Sequence, residues 1–213
     1  MITVLAVGYA ALVVAHLAGC AIGSRRLRWI TKPLLMPVLL ALFLVNGHGV
    51  TPLLVAALVL AAAGDVLLLR ASLKWVVLGG IAFLACHLLY GVTFAMDVDP
   101  AKVPPFVWLA AVVYVGAALL VHRAVRANLG RLQPPVIAYL VVLAAMSFGA
   151  LLRFASLGSA AAGVTFLGSV IFLVSDYCLL LDSYRRPLKH GHFVIMSTYL
   201  AAQTLIVAGF MVA

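Results

Sequence analysis

Two aspartates, Asp65 in AAAGDVLLL and Asp176 in FLVSDYCLLL, stand inside apolar stretches of a chain with only five acidic residues and no glutamate. Placing a carboxylate in hydrocarbon costs roughly 2.5–3.5 kcal/mol on insertion scales, so such residues are rarely accidental. Their matched settings point to one site built from two halves of the chain. Like charges held together in a low-dielectric site do not both ionise, which leaves a neutral acid beside an ionised carboxylate. Such a pair can protonate a substrate and then activate water. It would equally serve a proton-coupled transporter, in which Asp and His side chains relay protons.

Helical spacing gathers further polar groups around the pair. Phe83, His87, Tyr90 and Phe94 recur at i, i+4, i+7 and i+11 and share one face. Thr165, Ser169, Phe172 and Asp176 form a second stripe, and His192, Met196, Tyr199 and Gln203 a third. Ala57, Ala61 and Gly64, beside Asp65, make a small-residue surface that permits close helix approach. Thr165 and Ser169 read as hydrogen-bond partners between helices. Tyr90 and Tyr199 fit either packing aromatics with a satisfied hydroxyl or site residues. His87 alone would read as a core histidine, but near two buried carboxylates it reads as functional. Lys32 fits an interfacial lysine whose stem lies along apolar surface. His190 and His192 lie in a basic connection and read as interfacial.

A metal centre is the weaker reading of the same residues. Asp65, His87 and Asp176 offer three ligands of a kind that suits zinc. No His-x-x-x-His, Glu-x-x-His or paired-Cys spacing accompanies them, so no metal or other cofactor is expected. Cys20, Cys86 and Cys178 all fall in apolar segments and read as small core residues, not as a disulfide framework.

The elements that must position these groups are transmembrane helices. Hydrophobic residues make up 67% of the 213 and charged residues 9%, a composition that no soluble core requires. Hydropathy predicts eight spans, at about 2–22, 32–47, 51–70, 75–96, 105–122, 134–153, 157–181 and 191–213, forming a single polytopic domain over 1–213. The first span is too long for a signal-peptide core and lacks a basic start. Lys32-Pro33 is expected to open the second span, with Pro37 bending its first turns. The net charge of +9 does not point to nucleic acid, because the basic residues are scattered through short connections. Twelve of the fourteen Lys and Arg fall after spans one, three, five and seven; only Lys102 and Arg153 lie on the other side. The positive-inside rule then makes those connections cytoplasmic and puts both termini outside. Asp65 and Asp176 come out at one depth, under about 10 Å from the cytoplasmic ends of equivalent helices. Related strings around the two aspartates also suggest a parallel four-plus-four repeat. The expected location is the inner, or plasma, membrane of a bacterium.

On these residues the chain resembles the YhhN-like family, whose characterised members are lysoplasmalogenases. The matching pieces are Lys32-Pro33, Gly64-Asp65 with Leu67-Leu68, Phe83 through His87 to Tyr90, Gly168, Phe172, Ser175-Asp176, and Tyr199 with Gln203. They run in order from the second span to the eighth, and no single piece is specific by itself. The resemblance implies an integral membrane hydrolase acting on the vinyl-ether bond of a lysoplasmalogen, releasing a fatty aldehyde and a glycerophospho-alcohol. For that chemistry Asp65 and Asp176 are expected to be the acid/base pair, with which is acid and which base left open, and His87 to orient one carboxyl or the water. Tyr90, Tyr199 and Gln203 would bond around the ether oxygen or head group, and Lys32 would pair with the substrate phosphate or with an Asp. The partners expected are a lysophospholipid or related ether lipid and the bilayer, with no obligate protein partner. A small transporter and a non-catalytic lipid-binding protein are the alternatives that the same Asp and His groups allow.

Overall fold

Ser24, Thr51 and Ser159 each accept a hydrogen bond from the backbone N–H three residues on, at 3.3, 3.3 and 3.2 Å, and so start three of the helices. The computed structural model describes residues 1–70 and 72–212. The long helices are α1 Ile2–Ala21, α2 Arg25–Asn46, α3 Pro52–Leu67, α4 Leu73–Met96, α5 Ala110–Val125, α6 Gln133–Leu157, α7 Ala160–Tyr184 and α8 Gly191–Met211. Short 3-10 turns lead into α5 and join it to α6. Ala213, the end of the last expected span, lies outside the described residues. The protein is a multi-pass membrane protein, all-helical among the described residues, where seven helical stretches are long and apolar enough to cross a bilayer and α3 is a shorter apolar helix.

The helices close a ring. α1 packs on α2, α2 on α3, α3 on α4, α4 on α6, α6 on α7, α7 on α8, and α8 returns to α1. α5 stands outside this ring against α6 and α7. It buries only Val121 and Val125 and turns Val112, Val113 and Leu120 outward. A helix apolar on its exposed face suits lipid rather than water. Two pairs pack most intimately, α3 on α4 and α7 on α8. A Cβ on Gly64 would come 2.7 Å from the Phe83 ring, and one on Gly168 would come 2.9 Å from the Ala202 carbonyl. Gly168 lets the backbones of α7 and α8 approach, and Gly64 makes room for the Phe83 ring.

Three of the boundaries that differ from the hydropathy reading bear on the site. α2 begins at Arg25, not near Lys32, because Ser24 caps it and Arg and Lys are good helix formers. Arg25, Arg26 and Arg28 therefore stand on helix rather than in a connection. Pro33 and Pro37 lie inside the continuous helix, not at its start, and deprive the Trp29 and Pro33 carbonyls of their intrahelical donors. α3 stops at Leu67, two residues past Asp65, whereas α7 runs eight residues past Asp176 to Tyr184. Measured along their own helices, Asp65 is about 3 Å and Asp176 about 12 Å from the end. Matching strings concealed that difference in helix length.

Candidate active site

Six of the seven ring helices supply the polar cluster in its interior. Asp65 on α3 is 2% exposed, and each of its oxygens has its own donor. The Lys32 ammonium from α2 lies 3.4 Å from Oδ1, and the Tyr199 hydroxyl from α8 donates to Oδ2 at 2.8 Å. Asp176 on α7 has a different shell. Its Oδ2 accepts a short hydrogen bond from the Tyr139 hydroxyl of α6, and Nε2 of His87 on α4 lies 3.4 Å from the same oxygen. The His87 contact is close but not aligned as a hydrogen bond, so this buried nitrogen lacks a partner. Oδ1 of Asp176 takes no donor among the described residues.

Aromatic rings join the two carboxylate shells. Phe172 packs its ring 4.6 Å from His87 and 5.5 Å from Tyr199. Phe83 lies 5.8 Å from Tyr199, nearly perpendicular to it, and 6.4 Å from His87. Tyr139 sets its ring edge-on to His87 at 5.4 Å. The result is one apolar-walled cluster holding two carboxyl groups. Such surroundings strengthen every polar contact inside.

The partners cross between the halves of the chain. Asp65 bonds to Lys32 on the helix before its own and to Tyr199 on the last helix. Asp176 bonds to Tyr139 on the helix before its own and meets His87 on α4. The α3–α4 and α7–α8 pairs thus exchange side chains across the ring interior. Ser175, next to Asp176, fixes one pair by donating to the Ile195 carbonyl at 3.0 Å.

Of the residues singled out from sequence, Lys32, Asp65 and Tyr199 come together, as do His87 and Asp176. Tyr90 and Gln203 do not touch either carboxylate. They pair with each other a turn further along α4 and α8, where the Tyr90 hydroxyl donates to Gln203 Oε1 at 2.7 Å. The Gln203 carboxamide nitrogen is left buried without a partner. His192 is exposed at the start of α8. Among the described residues, no three His, Cys, Asp or Glu side chains converge as a metal would require.

Tyr139 was not legible as a site residue, since one tyrosine in VIAYLVVL resembles packing. Tyr139 stands on the helix before Asp176 and contacts it, as Lys32 stands on the helix before Asp65 and contacts that carboxylate. His16 was likewise missed. It is buried on α1, with Nδ1 2.7 Å from the Thr31 hydroxyl of α2.

The profile of the YhhN family matches residues 27–210. The Homo sapiens protein named lysoplasmalogenase TMEM86B is 36% identical over 165 residues, which cover 74% of this chain and 63% of that protein. The Sus scrofa protein of the same name is 34% identical over 167 residues, covering 75% of this chain and 64% of that protein. The Bos taurus protein named lysoplasmalogenase TMEM86A is 30% identical over 171 residues, covering 77% and 67%. The chain therefore spans a little under two thirds of the length of the first two relatives. No solved structure matches it.

Proposed function

This chain belongs to the YhhN family, and on that premise we propose that it is a membrane hydrolase cleaving the vinyl-ether bond of lysoplasmalogens. The products are a fatty aldehyde and a glycerophospho-alcohol. One observation carries the reading: two buried carboxyl groups from matched helices share one cluster yet have different partners. The names of the relatives agree with it.

The different partners divide the labour. Asp65 has an ammonium on one oxygen and a phenol on the other, partners that suit its charged form. It is suited to stabilising positive charge. Asp176 has no lysine or arginine beside it and keeps Oδ1 free of protein donors, which suits a neutral acid that gives up its proton. Tyr139 positions that carboxyl, and His87 Nε2 offers a place to hold water.

The steps then balance. Asp176 protonates the alkene carbon away from the ether oxygen, and the carbon bonded to oxygen becomes an oxocarbenium ion facing the Asp65 carboxylate. The Asp176 carboxylate accepts a proton as water adds to that carbon, which restores the acid and gives a hemiacetal. The hemiacetal hydroxyl loses its proton as the carbon–oxygen bond to glycerol breaks and the leaving oxygen gains one. One water is consumed, and aldehyde and alcohol are released. Glycosidases handle the same type of cation with two carboxyl groups.

Eight crossings with both termini outside complete the reading, α3 being the eighth. Its sixteen residues make about 24 Å of helix, and Leu68 to Arg70 extend it to the basic side. The crossed partners of Asp65 and Asp176 support the parallel four-plus-four repeat. The test is turnover of a lysoplasmalogen by purified protein in isotopic water. Deuterium oxide should place one solvent hydrogen on the aldehyde carbon next to the carbonyl, and oxygen-18 water should label the aldehyde oxygen. Label in the glycerol oxygen instead, or lipid flux into sealed vesicles without cleavage, would overturn the proposal.

A further inference from the structure

We propose that Arg28 and His16 form a phosphoglycerol subsite, in which Arg28 takes the substrate phosphate and His16 reads the neighbouring free hydroxyl. The inference rests on the hydrolase reading above. It starts from Lys32, whose ammonium is 3.4 Å from Asp65 and serves as that carboxylate's counter-ion. A phosphate entering the ring needs another cation.

Arg28 stands one turn before Lys32 on the same face of α2, about 6 Å closer to the helix start. Its Nε is buried and makes no hydrogen bond. No carboxylate among the described residues lies within ion-pair distance of it. An unpartnered guanidinium N–H is costly unless a ligand supplies the acceptor, and the phosphate of a lysolipid is an anion whose geometry fits it.

His16 supplies the complementary group from α1. It is 1% exposed, and the cations that bear on it electrostatically are Lys32 and Arg28. Its Nδ1 is 2.7 Å from Thr31 Oγ1, and that hydroxyl donates its own proton to the Leu27 carbonyl at 2.7 Å. Thr31 can therefore only accept from His16, so Nδ1 carries the proton and Nε2 is a lone-pair acceptor. Nε2 is buried and has no partner. A vacant donor on Arg28 and a vacant acceptor on His16, whose ring is tied through Thr31 to the stretch of α2 that carries Arg28, match a ligand that carries an anion and a hydroxyl a few bonds apart. The phosphate and the unacylated hydroxyl of a lysolipid's glycerol are such a pair. With the phosphate at Arg28, the ether carbon reaches one turn deeper, to the level where Lys32 meets Asp65.

The experiment compares four substrates in a non-ionic detergent free of phospholipid, so that bilayer phosphate cannot intervene. They are a lysoplasmalogen, the 1-alkenylglycerol lacking the phosphate, and the same two molecules with the glycerol 2-hydroxyl methylated. Wild-type protein should prefer the phosphorylated and the unmethylated forms. Arg28→Gln should reduce the preference for phosphate by roughly 10- to 100-fold, mainly through KM, the range expected for losing a hydrogen bond to a charged group. Arg28→Lys should keep part of that preference. His16→Phe should reduce the preference for the free hydroxyl and leave the preference for phosphate in place. Equal losses on all four substrates, or unchanged ratios in folded variants, would overturn the subsite. Failure of the wild-type protein to cleave any of them would instead overturn the hydrolase reading.

Discussion

The Tyr199 hydroxyl donates to Oδ2 of Asp65 at 2.8 Å across 134 positions of sequence, binding the eighth helix to the third inside the ring. Tyr199→Phe leaves a buried carboxylate oxygen without its donor. The expected loss of stability is roughly 1–3 kcal/mol, read as a lower unfolding temperature in detergent. Aldehyde formation should fall as well, because Asp65 loses one of the two contacts that hold it in place.

The ionisation of the two aspartates can be read without any substrate. Infrared difference spectra of the wild-type protein should contain the carbonyl stretch of one neutral carboxylic acid in an apolar site. Asp176→Asn should remove that band, and Asp65→Asn should retain it. Lys32→Met, which takes away the ammonium beside Asp65, should add a second band. A band lost in Asp65→Asn and kept in Asp176→Asn would reverse the assigned roles.

Much of this site was legible in the sequence because the physics behind it is local. An isolated carboxylate in an apolar helix is expensive wherever the helix lies, and i+4, i+7 spacing sets His87 and Tyr199 on inward faces without knowledge of their neighbours. What sequence could not supply was pairing between helices. Lys32 taken alone read as interfacial because its partner lies on another element, and Tyr90 and Gln203 were expected around the ether oxygen or head group although the Tyr90 hydroxyl donates to Gln203. The start of α2 was misplaced because charge was taken to mark a connection, whereas Ser24 caps a helix that carries three arginines in its first turn. Tyr139 stayed hidden because a tyrosine in a membrane helix has an ordinary packing role.

Close packing beside Asp65 gives a third prediction. A Cβ at Gly64 would meet the Phe83 ring at 2.7 Å, and Phe83 is itself hemmed in by Tyr199 and His87. Gly64→Ala gains up to about 1 kcal/mol in helix propensity, yet overpacking costs roughly 1–3 kcal/mol. The clash should win, lowering both stability and activity. Adding Phe83→Leu should restore part of the loss in Gly64→Ala, a non-additivity that a double-mutant cycle of unfolding temperatures would detect.

The far end of the bundle supplies a control. Arg153 is buried on α6, donates from Nε to Asp97 Oδ2 at 2.7 Å, and lies over the Phe210 ring at 4.4 Å. Asp97→Asn strands a buried guanidinium and should destabilise by roughly 1–3 kcal/mol, less than for a fully buried pair because Asp97 is half-exposed. Arg153→Met replaces the buried cation with an apolar chain of similar length and should cost less than Asp97→Asn. Thermal unfolding of the two variants gives the order directly.

Aldehyde release from a lysoplasmalogen by wild-type, Asp65→Asn and Asp176→Asn proteins of matched folding tests the paired carboxyl groups themselves. Turnover by the wild-type protein and a loss of about a hundredfold or more in each variant are expected, since acid catalysis alone typically contributes 10²–10⁴-fold. Near-normal turnover by either folded variant would contradict the role given to the pair.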